Sequence, residues 1–297
     1  MKINCISEFE KITQDPDSRF ILERMFLKSS TDKFKITKHH EGKYPAVITI
    51  SGFLTEDGEN FKKWESSITK IYPDREWFHV EWNCEKVPDK AQKVFNKILE
   101  IKATSYFTRG MTAGVLPLSF SPYLSIPLIL INNWWHSAVR NSKQAGKKLA
   151  NTFLACPDKE FILIGHSLGA RVIFNCLEHI KRSGEETCIK EVHLLGGAVN
   201  SRKAKWNKTE STVKDKVYNY YSGNDSILKI CYSAAMIDRY PIGLQSIDLP
   251  YFENIDSTMD VFGHTEYTPN FHKLKSKNQK QLTGDLTIGE KLTGKII

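Results

Sequence analysis

Gly165-His166-Ser167-Leu168-Gly169 follows directly on the apolar run Phe161-Ile162-Leu163-Ile164. A serine with glycine two residues before and after it, between a buried strand and a helix, is the pattern of a nucleophile elbow. That turn is sharp, and a side chain two positions either way would collide with the strand or the helix. Ala170 keeps the helix close to the sheet, and Val172, Ile173, Cys176, Leu177 and Ile180 then recur at the spacing of one buried helical face. The chemistry on offer is attack by the Ser167 hydroxyl, above a helix N-terminus whose dipole favours developing negative charge. An ordinary Gly-rich turn has the same five letters; the strand before and the helix after favour the elbow.

A serine is a poor nucleophile at neutral pH unless a base takes its proton and a carboxylate orients that base. Behind a nucleophile elbow the expected chain order is serine, acid, histidine. Only His264 and His272 come late enough. His264, in Phe262-Gly263-His264-Thr265 after the strand-like Phe252–Ile255, is the favoured base; His272 lies in a lysine-rich stretch and reads as exposed. Asp225, in Ser222-Gly223-Asn224-Asp225 at the end of the strand Val217–Tyr221, is the favoured acid. Asp256 and Asp260 are rivals, each close enough to His264 to cap local backbone instead, and Asp238 is less well placed. The oxyanion formed in acyl transfer needs preorganised donors. The backbone N–H of Leu168 is one, and that of Phe53, after Gly52, is the preferred second, with Leu54 still open. His166 reads as a packing or substrate-lining residue rather than a second base.

These residues need a frame that brings them to one rim. Ala46–Ile50, Trp77–Trp82, Phe161–Ile164, Glu191–Leu195 and Val217–Tyr221 read as strands, and residues 89–109 and a stretch through Phe61, Trp64 and Ile68 as helices. Strands alternating with helices predict a largely parallel sheet with its ligand at the carboxyl ends of the strands. Residues 1–42 are polar apart from an amphipathic piece around Phe20–Leu27 and read as an N-terminal helical appendage. Residues 43–272 form the main domain, and 273–297 a basic, solvated C-terminal segment.

Met111–Val139 contains no Asp, Glu, Lys or Arg and is long enough for the roughly 20 residues of a membrane span. Pro117, Pro122 and Pro127 break it, and Asn132-Asn133 interrupts its end, which argues against a straight span. Three readings of the block at 111–135 stand: core, apolar lid over the site, or membrane-docking hairpin. The net charge of +8 suits a solvated surface or anionic lipid. No zinc finger, RNA-binding aromatic motif or recognition helix accompanies it, so nucleic acid is not expected. Six scattered cysteines without a CxxC pair predict reduced thiols, with neither metal site nor disulfide framework. No secretory signal is read at the N-terminus, so the expected location is cytoplasmic, with peripheral membrane contact through Met111–Trp135.

Four blocks carry a family resemblance: Ile48–Thr55 with Glu56 and Trp64, Asn132–Gly146, Leu163–Ile173, and Tyr221–Leu228 with Gly263-His264. Together they resemble the α/β-hydrolase superfamily, and within it the transmembrane and coiled-coil domain-containing protein four family. The resemblance implies an α/β-hydrolase fold, a mainly parallel central sheet flanked by helices with an apolar lid-like insertion. It implies Ser167, Asp225 and His264 as a triad, in agreement with the reading of the residues. The reaction expected is hydrolysis of carboxylic esters, lipid-like ones given the apolar block and basic surface, with no metal or organic cofactor. Transfer of the acyl group to another acceptor, or a non-catalytic module that binds membrane or protein, are the alternatives.

Overall fold

The computed structural model describes residues 33–52, 60–84, 122–234 and 240–279. Seven strands make one sheet: β1 (Phe34–His40), β2 (Lys43–Ile50), β3 (Arg75–Trp82), β4 (Phe161–His166), β5 (Ile189–Leu195), β6 (Val217–Tyr221) and β7 (Phe252–Asp256). Their spatial order is β1-β3-β2-β4-β5-β6-β7, with β1 antiparallel to β3 and every other pairing parallel. The helices that position the site are α1 (Asn60–Ile71), α2 (Pro122–Leu154), α3 (Leu168–Ser183), the short α4 (Lys203–Trp206), α5 (Ser226–Ala234) and α6, over 267–279.

The central strands are buried on both faces, and their side chains alternate between two cores as a period-2 element must. On β4, Phe161 and Leu163 join the core under α2 and α3, whereas Ile162 and Ile164 join the one under α1 and α6. Trp135, Ala138, Leu149 and Phe153 of α2 pack with Val172, Ile173 and Leu177 of α3 on the first face. Trp64 and Ile68 of α1 pack with Tyr267, Phe271 and Leu274 of α6 on the second. Burying each such side chain contributes about 1.5–3 kcal/mol, so both helix layers are held firmly.

The chain leaves β2 in one direction, to β3, and then crosses back to lay β4 on the other side of β2. That reversal opens a crevice beyond the carboxyl ends of β2 and β4, where open α/β sheets bind ligands. Gly52 follows β2 and Ser167 follows β4, so the topology alone delivers both to that crevice.

Three sequence expectations change. Residues 34–40, assigned to a helical appendage, form β1: Phe34 and Ile36 turn inward against β3, while Lys35 and Lys38 are exposed, as an edge strand requires. The lysine-rich stretch after 272 is not wholly solvated, because it continues α6. Lys275 is half-buried there, with Nζ donating to the Tyr72 hydroxyl, to Glu191 Oε1 (3.1 Å) and to His193 Nε2 (3.3 Å). Pro127 and Asn132-Asn133 do not break the helical course, since α2 runs from Pro122 through them to Leu154, with Trp135 fully buried. No helix among the described residues is long and apolar enough to cross a membrane. The amphipathic piece at Phe20–Leu27, the helix expected over 89–109, residues 111–121 of the apolar block and residues 280–297 lie outside the described residues.

Candidate active site

Ser167 lies between the end of β4 and the start of α3 with φ 56° and ψ −121°. It is the one non-glycine residue with positive φ among those described, and this combination lies outside even the small left-handed region open to L-residues. Strain of this kind costs about 1–3 kcal/mol and persists only where the surroundings enforce it. The enforcement is visible. The Ser167 N–H donates to the Leu195 carbonyl at 3.0 Å, and the Ser167 carbonyl accepts from Ala198 N–H at 2.9 Å and Ala170 N–H at 3.1 Å. A methyl group at Gly165 would press on Ile173 and the Ala170 nitrogen, and one at Gly169 on the Ile50 carbonyl of β2. The two glycines therefore allow helix and strands to close around the serine.

Gly52 is the third close approach. A Cβ there would stand 2.5 Å from Ser167 Cβ, 2.8 Å from the His166 carbonyl oxygen and 2.9 Å from the Leu168 nitrogen. The segment after β2 thus lies directly against the serine turn. Leu168 opens α3, so its N–H is among the first four that a helix leaves without an internal acceptor. Two indoles fix the approach to Gly52: Trp82 Nε1 donates to the Ser51 carbonyl at 2.9 Å, and Trp64 Nε1 to Ser51 Oγ at 3.0 Å. Phe53 and Leu54, the expected donors from this segment, lie outside the described residues, as does Asp238.

The Asp225 carboxylate and the His264 ring are buried and joined, His264 Nδ1 to Asp225 Oδ2 at 2.6 Å. A carboxylate only accepts, so Nδ1 carries the proton of this bond, and in the neutral ring Nε2 is left as the acceptor. The other oxygen, Oδ1, accepts the Leu228 N–H at 2.9 Å and caps α5, so the carboxylate is held at both ends. The turn bearing Asp225 and the loop leading to His264 are stapled together. Ser222 Oγ donates to the Val261 carbonyl at 3.0 Å, Gly223 N–H to Thr258 Oγ1 at 3.0 Å, and Asn224 Nδ2 to the Thr258 carbonyl at 3.0 Å.

The rival residues have other work. Asp256 Oδ1 accepts the Thr258 N–H at 2.9 Å, and Asp260 pairs with Lys277 at 2.7 Å. His272 is half-buried rather than exposed, because its Nδ1 meets Ser67 Oγ of α1 at 3.1 Å. His166 does more than pack: its Nε2 lies 2.7 Å from the His264 carbonyl oxygen, and the two rings meet, tilted, at 4.6 Å. Neither this bond nor the tryptophan clamp on Ser51 was anticipated from sequence, since Trp64 and Trp82 stand 13 and 31 residues from Ser51 along the chain. Among the described residues no group of three or more His, Cys, Asp or Glu side chains is arranged to hold a metal ion.

A mainly parallel sheet covered by helices on both faces, with a serine at a strained strand-to-helix turn beyond its central strand, defines an α/β-hydrolase fold. The chain belongs to the family described as Protein of unknown function (DUF726), whose model matches residues 25–278. A rice relative, Transmembrane and coiled-coil domain-containing protein STS1, is 29% identical over 237 residues, 77% of this chain and 35% of that protein. Probable lipase MIL1 of Saccharomyces cerevisiae is 26% identical over 249 residues, 80% of this chain and 23% of that one. The chain thus spans about a third or less of the length of these relatives. Among solved structures, mouse alpha/beta hydrolase domain-containing protein 10 is similar at 13% identity and a TM-score of 0.39, over 87% of this chain and 97% of that one.

Proposed function

We propose that this chain is a serine hydrolase of carboxylic esters, with Ser167 as nucleophile, His264 as base and Asp225 as the acid that orients it. The observation that carries the reading is the buried 2.6 Å bond between Asp225 and His264, in a chain whose Ser167 holds a strained, positive-φ turn. Ser167 Oγ attacks the acyl carbonyl carbon while His264 Nε2 takes its proton. The oxyanion is met by the Leu168 N–H and by a donor from the segment after Gly52, for which Phe53 is the choice. His264 passes the proton to the leaving alcohol as the ester C–O bond breaks. Water, deprotonated by His264, then attacks the acyl-enzyme; the acid leaves, and the proton returns to Ser167. Asp225 stays ionised and stabilises the imidazolium at each stage.

A lipid-like ester is the substrate class we favour. It is supported by the name of the yeast relative and by Phe262 and Met259, which stand 67% and 78% exposed on the loop that leads into His264. Peripheral membrane contact through Met111–Trp135 belongs to the same proposal, as does membership of the transmembrane and coiled-coil domain-containing protein four group, to which the name of the rice relative lends support.

Treatment with a fluorophosphonate and measurement of the labelled mass tests the mechanism. Labelling at Ser167, abolished in Ser167→Ala and His264→Ala, is expected. Folded wild-type protein that takes no label, with or without detergent, overturns it. Faster cleavage of short soluble esters than of dispersed long-chain ones overturns the substrate class alone.

A further inference from the structure

The His166 side chain lies inside the elbow, one residue before the nucleophile, yet its polar contact is with the backbone of a residue 98 positions away. His166 is 5% exposed, and its Nε2 stands 2.7 Å from the His264 carbonyl oxygen. A carbonyl can only accept, so the Nε2 of His166 carries a proton and donates it. Burial, with the neighbouring His264 adding to it, pushes the His166 ring well below the ordinary histidine value, so the ring is neutral. Its tautomer is therefore fixed, with the proton on Nε2 and none on Nδ1.

Set beside the Asp225 bond, this gives the His264 residue two holds of different kinds. Asp225 grips the ring at Nδ1; His166 grips the main chain at the carbonyl. His264 opens a single 3₁₀ turn, His264–Glu266, at the end of the loop that begins after β7. A ring held only at Nδ1 can still swing with its backbone about that bond. Because His166 and Ser167 are consecutive, the backbone hold references the base directly to the nucleophile. The ring contact at 4.6 Å, tilted 39°, fills the remaining space between them.

We propose that His166 is a positioning residue, which sets the separation of Ser167 and His264 by donating its Nε2–H to the His264 main chain. This rests on the reading of Ser167 and His264 as nucleophile and base. Neutrality matters to the same role, since a charged ring at this distance would oppose the imidazolium that forms on His264 in each half-reaction.

Two substitutions separate the hydrogen bond from the packing. His166→Gln keeps a donor at about the reach of Nε2 and loses the ring; His166→Phe keeps a ring and loses the donor. The readouts are the second-order rate of fluorophosphonate labelling and the downfield proton NMR resonance of the Asp225–His264 bond, each on protein whose circular dichroism matches wild type. His166→Phe is expected to label about 10- to 100-fold more slowly, the cost of a misplaced reacting group, and to broaden or lose the resonance. His166→Gln is expected to stay within about threefold of wild type, as an intact directing hydrogen bond requires. His166→Met supplies a donorless variant if phenylalanine disturbs the core. Wild-type labelling and an intact resonance in the donorless variants overturn the proposal, as does an equal loss in His166→Gln. If wild type takes no label, the hydrolase reading falls, and the resonance alone still decides whether His166 holds the His264 backbone.

Discussion

The substitution Gly52→Ala puts a methyl group where the segment after β2 meets the serine turn, and its cost can be worked from distances. The added carbon would fall 2.5 Å from Ser167 Cβ, with the His166 carbonyl oxygen at 2.8 Å and the Leu168 nitrogen at 2.9 Å. Non-bonded carbons rest about 3.5–4.0 Å apart, so one segment must retreat by about 1 Å. None of the three atoms is the free end of a flexible side chain. The Ser167 turn is closed by three backbone hydrogen bonds, and Ser51 is gripped by Trp64 and Trp82. A retreat of about 1 Å at a catalytic site costs about 10²-fold in rate, or about 2.7 kcal/mol of barrier. Overpacking of this kind also removes about 1–3 kcal/mol of stability, a fall in Tm of about 2–12 °C. Labelling rate and thermal melt, measured on the same preparations, read both. Wild-type rate with an unchanged melt in Gly52→Ala would show that the two segments do not meet as described.

Two further outcomes follow from named contacts. Asp225→Asn keeps a side-chain oxygen for the Leu228 N–H and so should leave Tm almost unchanged, whereas Asp225→Ala should lose about 1 kcal/mol with the cap; both should slow labelling by about 10⁴-fold, and a lower Tm in the asparagine variant than in the alanine variant would refute the division of labour between Oδ1 and Oδ2. The second concerns pH. His193 is wholly buried among Tyr72, Tyr220, Glu191 and Lys275; burial, with the Lys275 charge adding to it, pulls its pKa down to about 4 from the ordinary 6.5. Between those values the unfolded chain binds the proton and the folded chain does not, so stability is full above about pH 6.5 and falls as pH drops toward about 4. Urea titrations at pH 7, 6, 5 and 4 should show this decline, less steep in His193→Gln; identical slopes in the two proteins would exclude His193 as its source.

Much of this arrangement was legible from residue order. The run Phe161–Ile164 and the stripe Val172–Ile180 marked strand and helix on either side of Ser167, because a strand buried on both faces is apolar throughout and a surface helix only on one side. The end of β6 placed Asp225, and the histidine after β7 came late enough to meet it. What escaped was set by distant partners. Phe34-Lys35-Ile36 alternates too briefly to announce an edge strand beside a polar N-terminal stretch. In α6, Tyr267, Phe271 and Leu274 form a helical stripe, but the surrounding lysines obscured it, and nothing local says that Lys275 alone turns inward. The His166 contact has no sequence signature at all, since its acceptor is a main-chain carbonyl and any residue there would supply one.

The backbone at Ser167 also bears on how this protein would change under laboratory selection. Glycine is the residue that adopts φ 56°, ψ −121° without a steric penalty, and about 1–3 kcal/mol separates it from serine there. A population screened only for heat resistance would therefore gain by exchanging the whole serine side chain for a hydrogen, and, with Ser167 as the proposed nucleophile, its most robust members would carry an inert elbow. Directed evolution of this fold needs a filter for turnover at every round, because at this position durability and chemistry pull apart.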